Sequence, residues 1–474
     1  MEELRIFRYK FACASLVFLL FPVWARAQDR GADAADLKQQ VEELRAMVAK
    51  LQARVDQLEN RSPGQVASAA PASPPTNAAP QQHAQTQPPA AAPSSSPATL
   101  TDFLQSTTIN FLMDGYYGYN FNDPIGRVNL LRAYDVSSNA FSLNQAALVL
   151  ENAADPDNGK RFGIRLDLQY GQATETLQGN PANEPRPDIY RNIFQAYGTY
   201  VFPIGKGLTV DFGKFASSLG IEGNYTKDQI NYSRSYWFNF LPFYHMGVRA
   251  NYKFNDKLAF NYWTVNGTQQ TEPFNGFKDE FFGFAVTPNK NVTWNINYYL
   301  GQEHPDVIFY PNGGAPANAP TEQGVPFEPI PHPPAGKLHI FDTYVSWQTT
   351  PKLTLALEAD DEIERLFTYS TPSHTDGGAA YVRYQLTPKI AIAGRAEYLS
   401  DRGGLFSGVT QALKENTFTT EYKFTDGFLA RGEWRRDFSN QPYFLTDILG
   451  VLKKEQNTAT LGLVWWVGGK QGTW

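Results

Sequence analysis

From residue 100 to residue 474 the chain alternates, apolar and polar side chains exchanging places position by position in about sixteen short runs. In one run Val292, Trp294, Ile296, Tyr298 and Leu300 are apolar, with Thr293, Asn295, Asn297 and Tyr299 between them. A strand has a side-chain period of two, so each run sets one face in an apolar medium and the other in a polar one. The pattern predicts strands near 107–121, 140–151, 162–171, 190–202, 207–215, 243–254, 257–266, 280–287, 291–300, 338–348, 352–361, 378–386, 389–399, 416–424, 427–437 and 457–468. The weakest patterning lies at 280–287 and 416–424. Short turns alternate with long polar loops at 122–139, 172–189, 216–242, 267–279, 301–337, 362–377, 400–415 and 438–456, apart from a mid-length turn at 152–161. Transmembrane barrels have this asymmetry, and an even strand count returns both barrel ends to the same side of the membrane.

The segments before the barrel agree with export. Arg5, Arg8 and Lys10 precede the apolar run Phe11 to Phe21, and Ala25-Arg26-Ala27 follows. This is the pattern of a cleaved signal peptide, residues 1–27, and its apolar run is too short to span a bilayer. In residues 28–60, Leu37, Val41, Leu44, Val48, Leu51, Val55 and Leu58 follow a 4-3 spacing with Lys, Glu and Arg outside that seam. That spacing predicts a coiled coil, with one amphipathic helix docking on the barrel as the alternative. Residues 61–99 carry nine prolines and no charge after Arg61, the composition of a disordered linker. The fold class expected is all-β, a transmembrane antiparallel barrel of about 16 strands over 100–474 behind a short α-helical coiled coil and a disordered linker.

Alternation also assigns faces. Polar alternates facing the lumen are Arg165, Asp167 and Gln169; His245, Arg249, Asn251 and Lys253; Arg395 and Glu397; and Arg431, Glu433, Arg435 and Asp437. An Arg or Lys placed in mid-lipid instead would cost roughly 2–4 kcal/mol, which fixes the register of these strands. Tyr244, Met246, Val248, Ala250 and Tyr252 are expected to face lipid, whereas 141–151 is apolar on both faces and stays unassigned. The mixed lumen charges read either as a transverse field acting on solutes or as neutralised scaffolding. Tyr116, Tyr117, Tyr119, Tyr298, Tyr299, Trp465 and Trp466 lie near strand ends, where aromatic girdles occur. The third long loop carries Glu222, Lys227, Asp228 and Arg234 among aromatics; the barrel resembles the general porins in size and strand parity, and that resemblance implies, by loop order, that this is the constriction loop, with an ordinary surface loop as the alternative. Trp474 is the expected assembly signal.

Composition narrows the chemistry. The leader's four basic and two acidic residues leave the remainder at a net charge of −8, against −6 for the whole, which argues against nucleic acid as a partner. The single cysteine, Cys13, falls in the leader, so the remainder has neither disulfide nor thiolate. H-E-x-x-H, Walker, G-x-S-x-G and dinucleotide motifs are all missing, and no enzyme, metal or cofactor is expected. Asp155-Pro156-Asp157-Asn158-Gly159 lacks the closing Glu of a calcium loop and reads as a turn.

The segments FSLNQAALVLE (141–151), RLDLQYGQATE (165–175), IFQAYGTYVFP (193–203), VDFGKFASSLGIEG (210–223) and GGKQGTW (468–474) resemble the OmpL-like β-barrel porin family. The resemblance implies an outer-membrane porin and names no solute. With 16 strands leaving an aqueous channel, the reading is passive diffusion of small hydrophilic solutes. The coil, on the periplasmic side, would serve oligomerisation or cell-wall association. The expected partners are outer-membrane lipid, further copies of the chain as a homo-oligomer (trimer favoured), the barrel-assembly machinery, periplasmic chaperones and peptidoglycan. The alternative is a structural tether to the cell wall with a non-conducting barrel.

Overall fold

The computed structural model describes residues 103, 105–178, 184, 187–310, 313–322, 324–470 and 473–474. The expected signal peptide, coiled coil and linker lie outside the described residues. Sixteen strands close into one antiparallel barrel. They are β1 (Thr108–Asn120), β2 (Ala140–Asn152), β3 (Phe162–Tyr170), β4 (Ile193–Phe202), β5 (Leu208–Ala216), β6 (Tyr244–Asn255), β7 (Leu258–Val265) and β8 (Asp279–Asn289). There follow β9 (Val292–Gly301), β10 (Leu338–Thr350), β11 (Leu353–Glu364), β12 (Ser373–Gln385), β13 (Ile390–Arg402), β14 (Gln411–Thr425), β15 (Phe428–Ser439) and β16 (Glu455–Gly468). Each strand pairs with its sequence neighbours, and β1 closes on β16 with Asn110 opposite Gly468. Closure leaves no edge of unpaired N–H and C=O groups, which hydrocarbon would not tolerate.

The outward positions form an apolar belt that includes Phe111, Ile164, Phe212, Phe284, Phe341, Leu357, Val382, Phe418 and Leu461, all exposed. In water such a belt would be penalised at about 25 cal/mol per Å², and in lipid it is the stable arrangement. All sixteen strands fall where alternation predicts them. The differences are at the long-loop end. There β11, β12, β13 and β14 run three to five residues further, so the connections 365–372 and 403–410 are half their expected length. Exposed Arg402 and Lys414, with Asp376, lie in those extensions, so the apolar signal stops before the hydrogen-bond ladder does.

Two local features explain sequence ambiguities. The register of β1 against β2 shifts between Asp114 and Gly115, which face Gln145 and Leu143 and leave Asn144 bulged. A bulge reverses the face pattern. Phe141 and Leu143 point out before it, Ala147 and Val149 point in after it, and the strand is therefore apolar on both faces. Among the expected girdle residues, the adjacent pairs Tyr116–Tyr117, Tyr298–Tyr299 and Trp465–Trp466 cannot share a face. Tyr116 and Tyr299 are buried in the interior and Trp466 packs against an interior cluster, so the girdle keeps Tyr117, Tyr119, Tyr298 and Trp465. At 153–161 the Asp155 side chain caps the turn Pro156–Asn158 by accepting from the Asn158 amide, and Gly159 closes it at φ 83°.

The β14–β15 turn rests on Gly427, at φ 89°, where an added Cβ would lie 2.5 Å from the Trp466 carbonyl oxygen. Gly427→Ala is expected to lower the unfolding free energy by about 1–2 kcal/mol. Urea unfolding of the refolded barrel should then show a lower midpoint with an unchanged slope.

Candidate functional site

The connection from β5 to β6, residues 217–243, folds into the barrel interior. Tyr225, Tyr232, Arg234, Tyr236 and Trp237 are each at most 4% exposed, so they cannot stand in an outer surface loop. A loop drawn inside a barrel brings backbone donors and acceptors that need partners, and the barrel wall supplies them from three sectors.

On β13–β15 the partners are charged. Arg431 donates to the carbonyl oxygens of Thr226 (2.7 Å), Gln229 (2.7 Å) and Asn231 (3.2 Å), and is itself held by Glu421 (2.9 Å). Glu433 accepts from the amides of Tyr232 (2.7 Å) and Ser233 (2.9 Å). Glu397 accepts from those of Tyr236 (2.6 Å) and Trp237 (3.3 Å), the start of the short helix Tyr236–Phe240 that Ser235 caps. Arg395 joins Glu222 (2.8 Å), the Ser233 carbonyl (2.9 Å) and Glu415 (2.9 Å). Arg435 reaches the Arg234 carbonyl (2.5 Å), and Asp437 takes the Tyr236 hydroxyl (2.8 Å).

On β1–β3 the partners are mostly neutral or acidic. Tyr232 donates to Asp114 (2.8 Å), Tyr225 to Asp167 (2.5 Å), and the Thr226 amide to Gln145 (3.1 Å). Burial pushes the Tyr232 and Tyr225 hydroxyls well above their ordinary range, and the adjacent carboxylates add to the rise, so both remain donors. On β10–β11, Asp342 accepts from the Gly220 amide (3.2 Å) and Glu358 from the Ile221 amide (2.9 Å). The apolar side chains of the loop complete a dry core. Trp237 and Tyr236 join Phe215, Trp263, Phe281, Tyr299 and Ile340, with Trp263 stacked on Phe281 at 3.8 Å.

The lumen-facing candidates thus separate into two sets. Asp167, Gln169, Arg395, Glu397, Arg431, Glu433, Arg435 and Asp437 point inward and are buried against the loop or its neighbours. Arg165 grips Asp167 (2.9 Å). Asn251 and Lys253 line open space at the short-turn end, where a cavity of about 780 Å³ is bounded also by Arg165, Glu151, Tyr197 and Asp211, and Arg249 braces that wall from Asp211 (2.7 Å) with its guanidinium over the Tyr197 and Phe215 rings. His245 belongs to neither set, because it is fully buried between Trp263 and Tyr299 and bonded to the Gly267 carbonyl (3.1 Å) and Ser217 (3.2 Å). Tyr244, expected on the lipid face, is buried with Lys214 over its ring (3.8 Å) and Glu184 at its hydroxyl (3.4 Å).

Within the loop, Glu222 bridges Arg395 and the Ser235 amide (2.6 Å). Arg234 is enclosed by carbonyls of its own loop, at Tyr232 (2.9 Å), Asn224 (2.9 Å) and Gly223 (3.2 Å), and so sets the loop's shape. Lys227 pairs with Asp228 (2.7 Å) and sits over the Trp474 ring (4.5 Å), whose backbone amide donates to Asp228 (3.2 Å). Trp474 therefore lies six residues beyond the end of β16, against the loop. Sequence reasoning missed Asp114, Arg132 and Tyr134. Arg132 reaches Asp437 (2.6 Å), and Tyr134 bonds Asn224 and stacks edge-on with Phe238. The signal was the apolar run Leu130-Leu131-Arg132-Ala133-Tyr134 inside a loop otherwise read as polar.

Residues 106–465 match a family described as "Putative beta-barrel porin-2, OmpL-like". No curated protein matches the chain. Among solved structures it is similar to the outer membrane channel DcaP of Acinetobacter baumannii at 8% identity and TM-score 0.49, over 76% of this chain and 97% of that one. An anion-selective porin from Comamonas acidovorans gives 8% and 0.49 over 76% and 99%. Pseudomonas putida OprB gives 11% and 0.49 over 78% and 96%.

Gly462 on β16 leaves the space that Tyr232 occupies, since a Cβ there would lie 2.2 Å from the Tyr232 ring. Gly462→Ala is expected to cost about 1–3 kcal/mol by overpacking and to expel that ring. Limited trypsin digestion of the folded barrel should then cut at Lys227 or Arg234, both protected in the wild type.

Proposed function

The chain belongs to the OmpL-like β-barrel porin family, and from that premise we propose that it is an outer-membrane channel for passive diffusion of small hydrophilic solutes. The observation that carries the proposal is the inward loop 217–243, held between the charged sector β13–β15 and the acidic sector β10–β11. A loop seated this way narrows a sixteen-stranded interior and fixes which side chains a solute meets. Glu222, Lys227, Asp228 and Arg234 act as the architecture of that constriction, and Asn251 and Lys253, braced by Arg249, as the wall of the mouth at the short-turn end. That end faces the periplasm, in keeping with short periplasmic turns and long outer loops. Residues 28–60, expected from their 4-3 spacing to form a coiled coil, would act on that side in self-association or attachment to the cell wall. Transport needs no catalysis or cofactor, only a solute gradient.

The depth of the loop's packing favours one second reading. A barrel whose interior is bonded to its own loop from three sectors also suits a non-conducting anchor, with the coil and linker gripping the wall.

Single-channel recording of the refolded full-length protein separates the two. A channel gives discrete steps smaller than those of a sixteen-stranded barrel with an empty interior, and the steps grow when residues 221–240 are replaced by a short Gly/Ser link. The interior carboxylates that lack a basic partner predict a reversal potential on the cation-selective side in a KCl gradient. A correctly folded barrel that is silent, or that conducts only after loop replacement, overturns the channel reading in favour of the anchor.

A further inference from the structure

Carboxylates facing the barrel interior generally have guanidinium partners: Asp167 with Arg165 (2.9 Å), Asp211 with Arg249 (2.7 Å), Glu415 with Arg395 (2.9 Å), Glu421 with Arg431 (2.9 Å) and Asp437 with Arg435 (2.8 Å). Of the buried carboxylates that make no ion pair among the described residues, Asp114, Asp279, Asp401 and Glu433 stand apart from one another, whereas three converge. Asp342 on β10 and Glu358 and Asp360 on β11 each bring one carboxylate oxygen within 4.8 Å of the other two. All three are buried, and among the described residues none of them makes an ion pair. The register causes the crowding, since Asp342 sits directly opposite Asp360 and Glu358 is the next inward position along β11. Like charges placed directly across a ladder repel, and the inward Glu362 lengthens the acidic row.

Two of the three are well supplied with donors. Asp342 accepts from the Gly220 amide and from Asn297 (2.6 Å), and Glu358 from the Ile221 amide and the Tyr381 hydroxyl (3.1 Å). Asp360 differs. Its side chain is 95% buried, it is aimed at the other two, and neither of its oxygens has a hydrogen-bond donor. A buried carboxylate without a donor is costly, and here no nearby cationic side chain compensates it. Each carboxylate oxygen that accepts one hydrogen bond keeps a second lone pair free for a ligand.

We propose that Asp342, Glu358 and Asp360 form a binding site for a hard divalent cation, Ca²⁺, with water completing its coordination. The donor set is oxygen only, without imidazole or thiolate, which selects alkaline-earth ions over zinc or copper. A bound ion reduces three negative charges to one at a point on the passage. It also ties the wall to the inward loop, because the same carboxylates already hold the Gly220 and Ile221 amides. The site stands independently of whether the barrel conducts.

The test is calorimetric titration of CaCl₂ into the EDTA-stripped, refolded full chain, with urea unfolding in EDTA and in Ca²⁺. Binding of one Ca²⁺ per chain is expected, with a higher unfolding midpoint in Ca²⁺. Asp360→Asn is expected to weaken binding by about tenfold or more and to abolish the Ca²⁺-dependent rise in midpoint. In EDTA the same variant should be at least as stable as the wild type, because it removes a like charge, and this keeps the experiment informative about binding rather than folding. Wild-type protein with no heat and no shift overturns the site and leaves the three carboxylates sharing protons. Equal binding by the wild type and Asp360→Asn overturns it as well.

Discussion

A buried backbone amide or carbonyl must find a hydrogen-bond partner, and in this molecule that demand arises twice. The barrel meets it for the strands by closing β1 on β16. The loop 217–243 then brings a second set of backbone groups into the interior, and no ladder is available to satisfy them. Side chains do so instead. Arg431, Glu433, Glu397, Arg395 and Arg435 present donors and acceptors at the two-residue spacing of a strand, and the loop lies across them. Charged groups suit this work because their hydrogen bonds to backbone are roughly twice as strong as neutral ones.

The arrangement also explains how so many charges are tolerated in a closely packed interior. A buried guanidinium is stable only when its charge is paired and its donors are used. Arg431 meets both conditions with one carboxylate and three carbonyls, and Arg395 with Glu222, Glu415 and Ser233. The mixed-sign ladder is thus a socket as much as a field. At the acidic sector of β10–β11 this balance is missing, and there the loop is held by the Gly220 and Ile221 amides and by its Ser218 carbonyl, which accepts from the Tyr344 hydroxyl.

Strand positions and most faces were legible because period-two alternation against lipid is a strong local signal. Phe162, Ile164, Leu166 and Leu168 leave Arg165, Asp167 and Gln169 a single direction to point. Adjacent aromatics such as Tyr116 and Tyr117 were legible as a pair but not as individuals, since composition does not say which one faces out. The bulge at Asn144 was hidden because it substitutes one phase of the pattern for the other. What the loop does inside the barrel was harder still. Its contacts join Thr226 to Arg431 and Ser233 to Arg395, and no window of sequence spans both members of such a pair. His245 was read as part of a wet wall because the aromatics that enclose it, Trp263 and Tyr299, come from other strands.

The Arg431–Thr226 contact joins residues 205 positions apart. Its two halves can meet only after β13–β15 have paired and the sheet has curled round to face β5 and β6. Seating of the loop is therefore a late event in folding, rewarded only once the long-range closures are complete. Until then the socket on β13–β15 is a row of uncompensated charges on a half-built sheet, held in contact with water. The same row that steadies the finished interior thus keeps the unfinished barrel from burying that face too early.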